Sequence, residues 1–377
     1  MLDAIHIQGF KCFEVLDLTL APLTLLSGTN GGGKSSVIQA LALLAQTLAE
    51  REWGRDLLLD GPELSLGSAA DVLNHRSAGK RLMLGASAGG ERIDWTFVAE
   101  DRRSLSLSLD GVQIGGEAVA LGDPIHFLLP EGRSAHSPVV SSLRNLSWVT
   151  AERMGPRELL PLHDAQGHAH VGARGELTAG LLYWLGEDLE VSSSLCKPGI
   201  PRFLYHQVRA YMQDFFPGCD LRVAAIDGAS YVSLRLRSNP RSDFQRPQNV
   251  GFGLTQVLPI VVAVLASSKD KVLLVENPEV HLHPRAQQEI GFLLARAASS
   301  GVQVILETHS DHVLNGARLA VRSKAIGAEQ VALHFFSPSA VDGTNVPVSP
   351  KIDSDGRLDS WPDGFFDQFD QALSQLL

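Results

Sequence analysis

The sequence predicts an α/β fold: a parallel-sheet core assembled from the two ends of the chain, with a β-rich subdomain and a mainly helical insertion between them. Three observations predict it. A buried strand, a glycine-rich turn and a strong helix follow one another in "LTLLSGTNGGGKSSVIQALALLAQTLAE" near the N-terminus. From residue 248 to 336 strand and helix patterns alternate again. Between them, residues 80–128 switch to the period-two alternation of half-buried strands.

Taken in order, "AIHIQGF" and "VLDLTL" alternate apolar and polar residues as half-buried strands do. "RLMLGAS", "RIDWTFVAE" and "SLSLSLDGVQI" repeat that alternation between Gly and Asp turns. A short strand, "LSWVTAER", comes next. Residues 157–218 read as mostly helical, with "ELTAGLLYWLGEDL" and "RFLYHQVRAYMQDFF" the clearest segments, and "LRVAAIDGASYVSLRLR" is a hairpin turning at Asp227-Gly228. The C-terminal core reads helix 254–267, strand 272–276, helix 284–298, strand 302–306, helix 310–322 and strand 331–336. A loop-rich stretch and a short terminal helix end the chain. The expected divisions are 1–150, 151–247, 248–336 and 337–377.

Composition narrows the function. A chain of 377 residues with 44% hydrophobic content holds one large core or two moderate ones. Its formal net charge of −10 argues against wholesale coating of nucleic acid. Cys12, Cys196 and Cys219 are far apart, without C-x-x-C spacing, which fits a reduced protein with no cysteine metal site. The N-terminus has an acidic residue at position 3 and no long apolar run, unlike a signal peptide. The most apolar run, 257–266, is about half of the ~20 residues that span a bilayer. A cytoplasmic protein without a membrane partner is expected.

"GTNGGGKS", residues 28–35, satisfies G-x-x-x-x-G-K-[S/T] between a strand and a helix, the context that motif requires. Backbone N–H groups of Asn30, Gly31, Gly32 and Gly33 would curl around phosphates, and the helix opening at Lys34, Ser35 and Ser36 aims its positive end at them. Lys34 would meet the β- and γ-phosphates, and the Ser35 hydroxyl would ligate Mg²⁺. The expected ligands are therefore ATP and Mg²⁺.

"LLVENPEVHLHP", residues 273–284, ends a buried strand on an acid, as such enzymes do to hold the metal, but the usual Asp-Glu pair is Glu276-Asn277. Glu276 would hold Mg²⁺ directly or through water. Asn277 can orient a water but cannot take its proton. Glu279 is the nearest carboxylate for a general base, or else supports the following turn; the sequence leaves both open. His281 and His283 lack a third metal ligand of matched spacing and read as structural. In "VILETHSDHV", His309 just past a strand would donate to a γ-phosphate and report its presence. "GASAG", residues 85–89, matches a nucleophile elbow by letter, but strand-like sequence follows, so it reads as a hairpin turn.

These motifs carry a resemblance. "IHIQGFKCFEVLDLTLAPLTLLSGTNGGGKSSVIQAL" resembles the N-terminal lobe of SMC-like and OLD-like ABC ATPases, "LETHSDHVLNGARLAV" their switch-histidine region, and "ENPEVHLHP" their metal-binding strand and D-loop. The resemblance implies an ABC-type P-loop ATPase head in which Phe10, Lys11 and Phe13 lie beside the nucleotide as candidates for base or ribose contact. "LSWVTAERMGPR", "QNVGFGLTQVLPIVVAVL", "VENPEVHLHP" and "IDSDGRLDSWPDGFFDQ" in order are similar to a prokaryotic subfamily with a short C-terminal domain of unknown function, often found in defence or mobile-element gene neighbourhoods. In the superfamily a Ser-x-Gly signature at a helix start completes a partner's ATP site. Here "GFGLTQ" stands in that place, making Gly251, Phe252, Gly253 and Thr255 the loop acting in trans, with Thr255 in reserve for the missing serine.

The tail after about 337 is too short for the nuclease domain of OLD proteins, and Asp353, Asp355, Asp359 and Asp363 alternate with turn residues. The signature also differs from that of transporter ATPases. Two functions are expected to compete: a slow ATPase switch, dimeric or of higher order, serving a separate effector protein in anti-phage defence or DNA-related processes; or an ATP-bound scaffold that hardly hydrolyses. DNA contact stays open in either, since residues 202–246 hold seven arginines against four aspartates.

Overall fold

In a computed structural model the described residues are 1–76, 79–163, 169–337 and 345–362. They form two compact units, one of residues 1–146, 331–351 and the described part of 358–377, the other of 147–330 and 352–357. The expected terminal helix, most of the "WPDGFFDQ" stretch and Asp363 lie outside the described residues.

The first unit carries an antiparallel sheet with strands Phe13–Thr19, Ala4–Phe10, Arg81–Ala88, Glu91–Val98, Ser106–Ile114 and Asp56–Leu58 in that spatial order. Alternation places Ile5, Ile7, Leu82, Leu84, Trp95 and Phe97 in the interior, beside the helices Lys34–Glu50 and Pro138–Arg144. The strand Leu23–Gly28 pairs in parallel with Val331–Phe336, which brings residues some 300 positions apart to the mouth of the glycine loop. The helix Lys34–Glu50 is apolar nearly all round and buried, as a core helix is.

In the second unit Val272–Glu276 and Gln303–Glu307 pair in parallel, with Glu276 level with Glu307. Helices Pro284–Ser299 and Asp311–Arg322 each flank one of these strands in sequence and pack on each other. The helix Phe252–Ala266 contains Pro259. An internal proline costs about 3 kcal/mol, while each of Ile260, Val261, Val262 and Val264, fully buried, contributes about 1.5–3 kcal/mol. Burial wins.

Strand and helix positions agree with the sequence reading along both core segments. The insertion differs: helices are Thr178–Leu185 and Leu204–Phe215, and a short strand, Leu159–Pro161, joins the hairpin Asp220–Ala225/Tyr231–Arg237 as a third member. A three-residue strand carries no periodicity, so the pattern could not report it. "GASAG" runs along the end of the strand Arg81–Ala88 and into the turn at Gly89-Gly90, with a second strand after it; Ser87 is therefore on no strand-to-helix elbow.

Candidate functional site

The glycine loop of the first unit is shaped from below. Gly33 has φ 108°, and a Cβ there would lie 2.4 Å from Cζ of Phe13 and 3.0 Å from Sγ of Cys12. Only glycine tolerates both the left-handed backbone and that approach. Phe13 and Phe10 are buried at 1% and 0% exposure, and Phe13 also faces Phe336, ring centroids 6.2 Å apart. The expected base or ribose contact for these two rings is thereby corrected: Phe13 supports the loop from within the core, and Phe10 is buried among the strands.

Lys34 is buried, with Nζ donating to the carbonyl oxygens of Gly28 (3.0 Å) and Thr29 (2.9 Å). Asn30, Gly31 and Ser35 are exposed, while Gly32 and Gly33 are buried. The helix that starts here has no capping side chain and no acid in its first turn, so its positive end is left for an anion. Lys11 takes a left-handed turn (φ 50°), fixed by its N–H donating to Val72 O and its carbonyl accepting from Asn74 Nδ2. Lys11 Nζ donates to Gln39 Oε1 (2.5 Å) on the loop helix, and burial lowers its pKa. Cys12 Sγ lies 3.8 Å from Ser36 Oγ.

The acidic strand end of the second unit is held from two sides. Glu276 Oε2 accepts the Ala151 N–H (3.0 Å). Arg153, 6% exposed, donates from Nη1 to Thr150 O (3.0 Å) and Glu276 O (2.8 Å), and from Nη2 to Asn277 O (2.8 Å). Asn277 sits at φ 43°, a left-handed conformation that asparagine tolerates better than most residues. Burial pushes the Arg153 guanidinium down to about 10, against the pull of Glu279 and Glu276; it stays charged at neutral pH. Burial raises the pKa of Glu276 and of Glu279.

Glu279 reaches across to the next strand end. Its Oε2 accepts the Thr308 hydroxyl (2.9 Å) and its Oε1 the His309 N–H (2.7 Å). The His309 ring is part-exposed, its Nε2 3.9 Å from Glu307 Oε1. His283 caps the helix Pro284–Ser299, its Nδ1 accepting from Arg285 N. His281 lies edge-on to Phe252 at 4.5 Å. Among the described residues no group of three His, Cys, Asp or Glu could hold a metal.

At the signature position Gly251 is the N-cap and Phe252 opens the helix, both exposed. A Cβ on Gly253 would stand 2.7 Å from the His281 carbonyl, so helix start and turn are in tight contact. Thr255 is buried and its hydroxyl donates to Phe252 O (2.8 Å) within the first turn. That hydroxyl is spent inside its own helix, which corrects the idea of Thr255 as a serine substitute.

The arginines of the hairpin region are engaged too. Arg209 and Arg237 converge on Asp220, Arg235 and Arg246 on Glu158, and Arg202 meets Glu190. Arg222 stacks on Phe244 at 4.0 Å. Much of the local positive charge is therefore balanced.

Sequence reasoning missed Arg153 and Thr308. A lone arginine four residues past the strand Leu146–Val149 has no spacing pattern, and a threonine beside a histidine has none either. Only the fold brings them to Glu276 and Glu279.

The Ser35 hydroxyl in the first unit and the Glu276 carboxylate in the second are each of the hard oxygen type that Mg²⁺ takes. Thr150 Oγ1 and Asn277 Oδ1, both buried in the segments that brace Glu276, have no hydrogen-bond partner among the described residues, which fits a polar ligand set there.

Comparison with known proteins bears on the family and the fold. The profile of a family described as "AAA domain, putative AbiEii toxin, Type IV TA system" matches residues 23–315, and a second, of a protein of unknown function (DUF3696), matches residues 326–376. An OLD nuclease from Thermus scotoductus (strain ATCC 700910 / SA-01) is 41% identical over 44 residues, which is 12% of this chain and only 8% of that protein. A crystal structure of an SMC head bound to the C-winged helix domain of ScpA aligns with TM-score 0.54 at 12% identity, covering 93% of this chain and 97% of that one. An SMC head with an extended coiled coil, bound to the C-terminal domain of ScpA derived from Pyrococcus furiosus, aligns with TM-score 0.53 at 11% identity, covering 100% and 99%. No described helix is long and apolar enough to cross a membrane.

Proposed function

Since the chain belongs to the AAA domain, putative AbiEii toxin family and is an SMC/OLD-like P-loop ATPase, we propose that it is a slow, Mg²⁺-dependent ATP-hydrolysing switch. The observation that carries this reading is the glycine loop: a phosphate-shaped turn with an uncapped helix start and a lysine folded onto its carbonyls. On ATP binding Lys34 would exchange the Gly28 and Thr29 carbonyls for phosphate oxygens. Lys11, Asn30, Gly31, Gly32, Gly33, Ser35 and Ser36 would complete the contacts. Ser35 and Glu276 would offer oxygens to Mg²⁺, which when bound would supply charge neutralisation at the phosphates. The Ala151 N–H holds the Glu276 carboxylate and Arg153 braces the Glu276 backbone carbonyl, and His309 would donate to the terminal phosphate.

Asn277 at the usual base position supports slowness. A general base contributes about 10²–10⁴-fold, so turnover should fall below the ~1–10³ s⁻¹ typical of enzymes. The same asparagine favours the second reading, an ATP-bound scaffold. Single-turnover phosphate release separates them: slow release that Glu276→Gln abolishes with ATP still bound supports the switch, and no release from the wild type supports the scaffold.

The exposed Gly251-Phe252 helix start supports a further part of the proposal, an ATP-stabilised dimer in which Gly251, Phe252 and Gly253 meet the partner's nucleotide. A separate effector in anti-phage defence is the role we infer for such a switch. Light scattering with ATP and Mg²⁺ should show a dimer for Glu276→Gln; a monomer at high concentration would refute that part. The balanced hairpin arginines give DNA contact no support.

A further inference from the structure

We propose that Glu279 is a positioning residue that sets His309, and is not the base that takes a proton from water; the proposal rests on the hydrolysis reading above. Both of its oxygens are committed to a single turn thirty residues on, one to the Thr308 hydroxyl and one to the His309 N–H. A base has to present a lone pair within about 2.6–3.2 Å of the proton it removes. These two bonds commit the carboxylate to residues 308 and 309 instead.

The turn is then passed on rigidly. Thr308, fully buried, also accepts the Ser310 N–H at 3.1 Å. Ser310 Oγ caps the helix Asp311–Arg322 by accepting from His312 N and Val313 N, and donates to Gln287 Oε1 at 2.6 Å. Glu279 therefore fixes the one residue of this run whose side chain stays part-exposed, His309. On the near side Arg153 grips the carbonyls of Glu276 and Asn277, so the start of the 277–283 turn is anchored as well. The turn that follows the acid that would hold the metal, and the histidine that would touch the phosphate, are joined through one half-buried carboxylate. A displacement of about 1 Å in a catalytic group can cost about 10²-fold, which is the loss expected when this link is cut.

Glu279→Gln and Glu279→Ala separate the two roles. The glutamine keeps an oxygen for the His309 N–H and offers an N–H to Thr308 Oγ1, yet cannot accept a proton at neutral pH. If Glu279 positions, Glu279→Ala should lose about 10²-fold in single-turnover rate and Glu279→Gln should recover most of that loss. Glu279→Ala added to His309→Ala should then cost little more, because the two act as a unit. An alanine and a glutamine variant equally inactive with ATP bound, or multiplicative losses in the double variant, would overturn the proposal. The His309 imidazole resonance, assigned by comparison with His309→Gln, provides a readout independent of turnover. It should shift in Glu279→Ala and stay near its native position in Glu279→Gln. Failure of the wild type to hydrolyse would sink the hydrolysis reading, and this resonance would still decide the link: an unshifted alanine variant contradicts it.

Discussion

Arg153 places a full positive charge against three backbone carbonyls in a site where two carboxylates are themselves half-buried. Burial raises Glu276 and Glu279 above the ordinary value of 4.5, and the Arg153 charge partly restrains both. A carboxylate with a raised pKa stays protonated further up the acid range. Mg²⁺-dependent turnover should thus be present above that raised value, disappear as pH falls through it, and have its acid limb above 4.5. The stability contribution of these two groups has the opposite sign. The folded state binds their protons more tightly than the unfolded chain, so stability falls as pH rises from 4.5 through the folded values. Arg153→Gln removes the restraining charge, and a pH–rate profile should show its acid limb displaced upward. An unmoved limb would mean that Arg153 acts only as a backbone brace.

Among elements, the helix Phe252–Ala266 shows how packing overrules propensity. Replacing a glycine by alanine in a helix usually gains about 0.5–1 kcal/mol. At Gly253 the new Cβ would meet the His281 carbonyl at 2.7 Å and the Phe216 ring at 3.1 Å, and overpacking costs about 1–3 kcal/mol. The clash should win: Gly253→Ala is expected to lower the urea midpoint, whereas an unchanged or higher midpoint would show that the helix start is loosely held. Elements of this length were legible because fifteen residues carry a readable pattern, here an apolar run, as was the glycine loop. The strand Leu159–Pro161 was too short to show a period. Candidates for the chemical site could be named where a motif fixes spacing, from Asn30 to Ser36 and at Glu276 and His309. The site was illegible where the contact depends on tertiary placement: Glu279 could not be told from a base until Thr308 and His309 were seen on its two oxygens, and the hairpin arginines looked basic until Asp220 and Glu158 were seen beside them.

For the whole molecule, a net charge of −10 repels polyanions at long range, yet the chain concentrates its means of binding phosphate in one loop. Lys34 is the centre of that loop. It is buried rather than exposed, and its loss removes two hydrogen bonds worth about 0.5–1.5 kcal/mol each. Their acceptors belong to Gly28 and the exposed Thr29, where water can replace the ammonium group, so the fold should survive Lys34→Ala. The direct test is a calorimetric titration of ATP with Mg²⁺ into the wild type and into Lys34→Ala, with melting curves for both. Saturable heat in the wild type and none in a folded Lys34→Ala protein is the predicted result; equal ATP affinity in the two proteins would contradict the assignment of this loop as the nucleotide site.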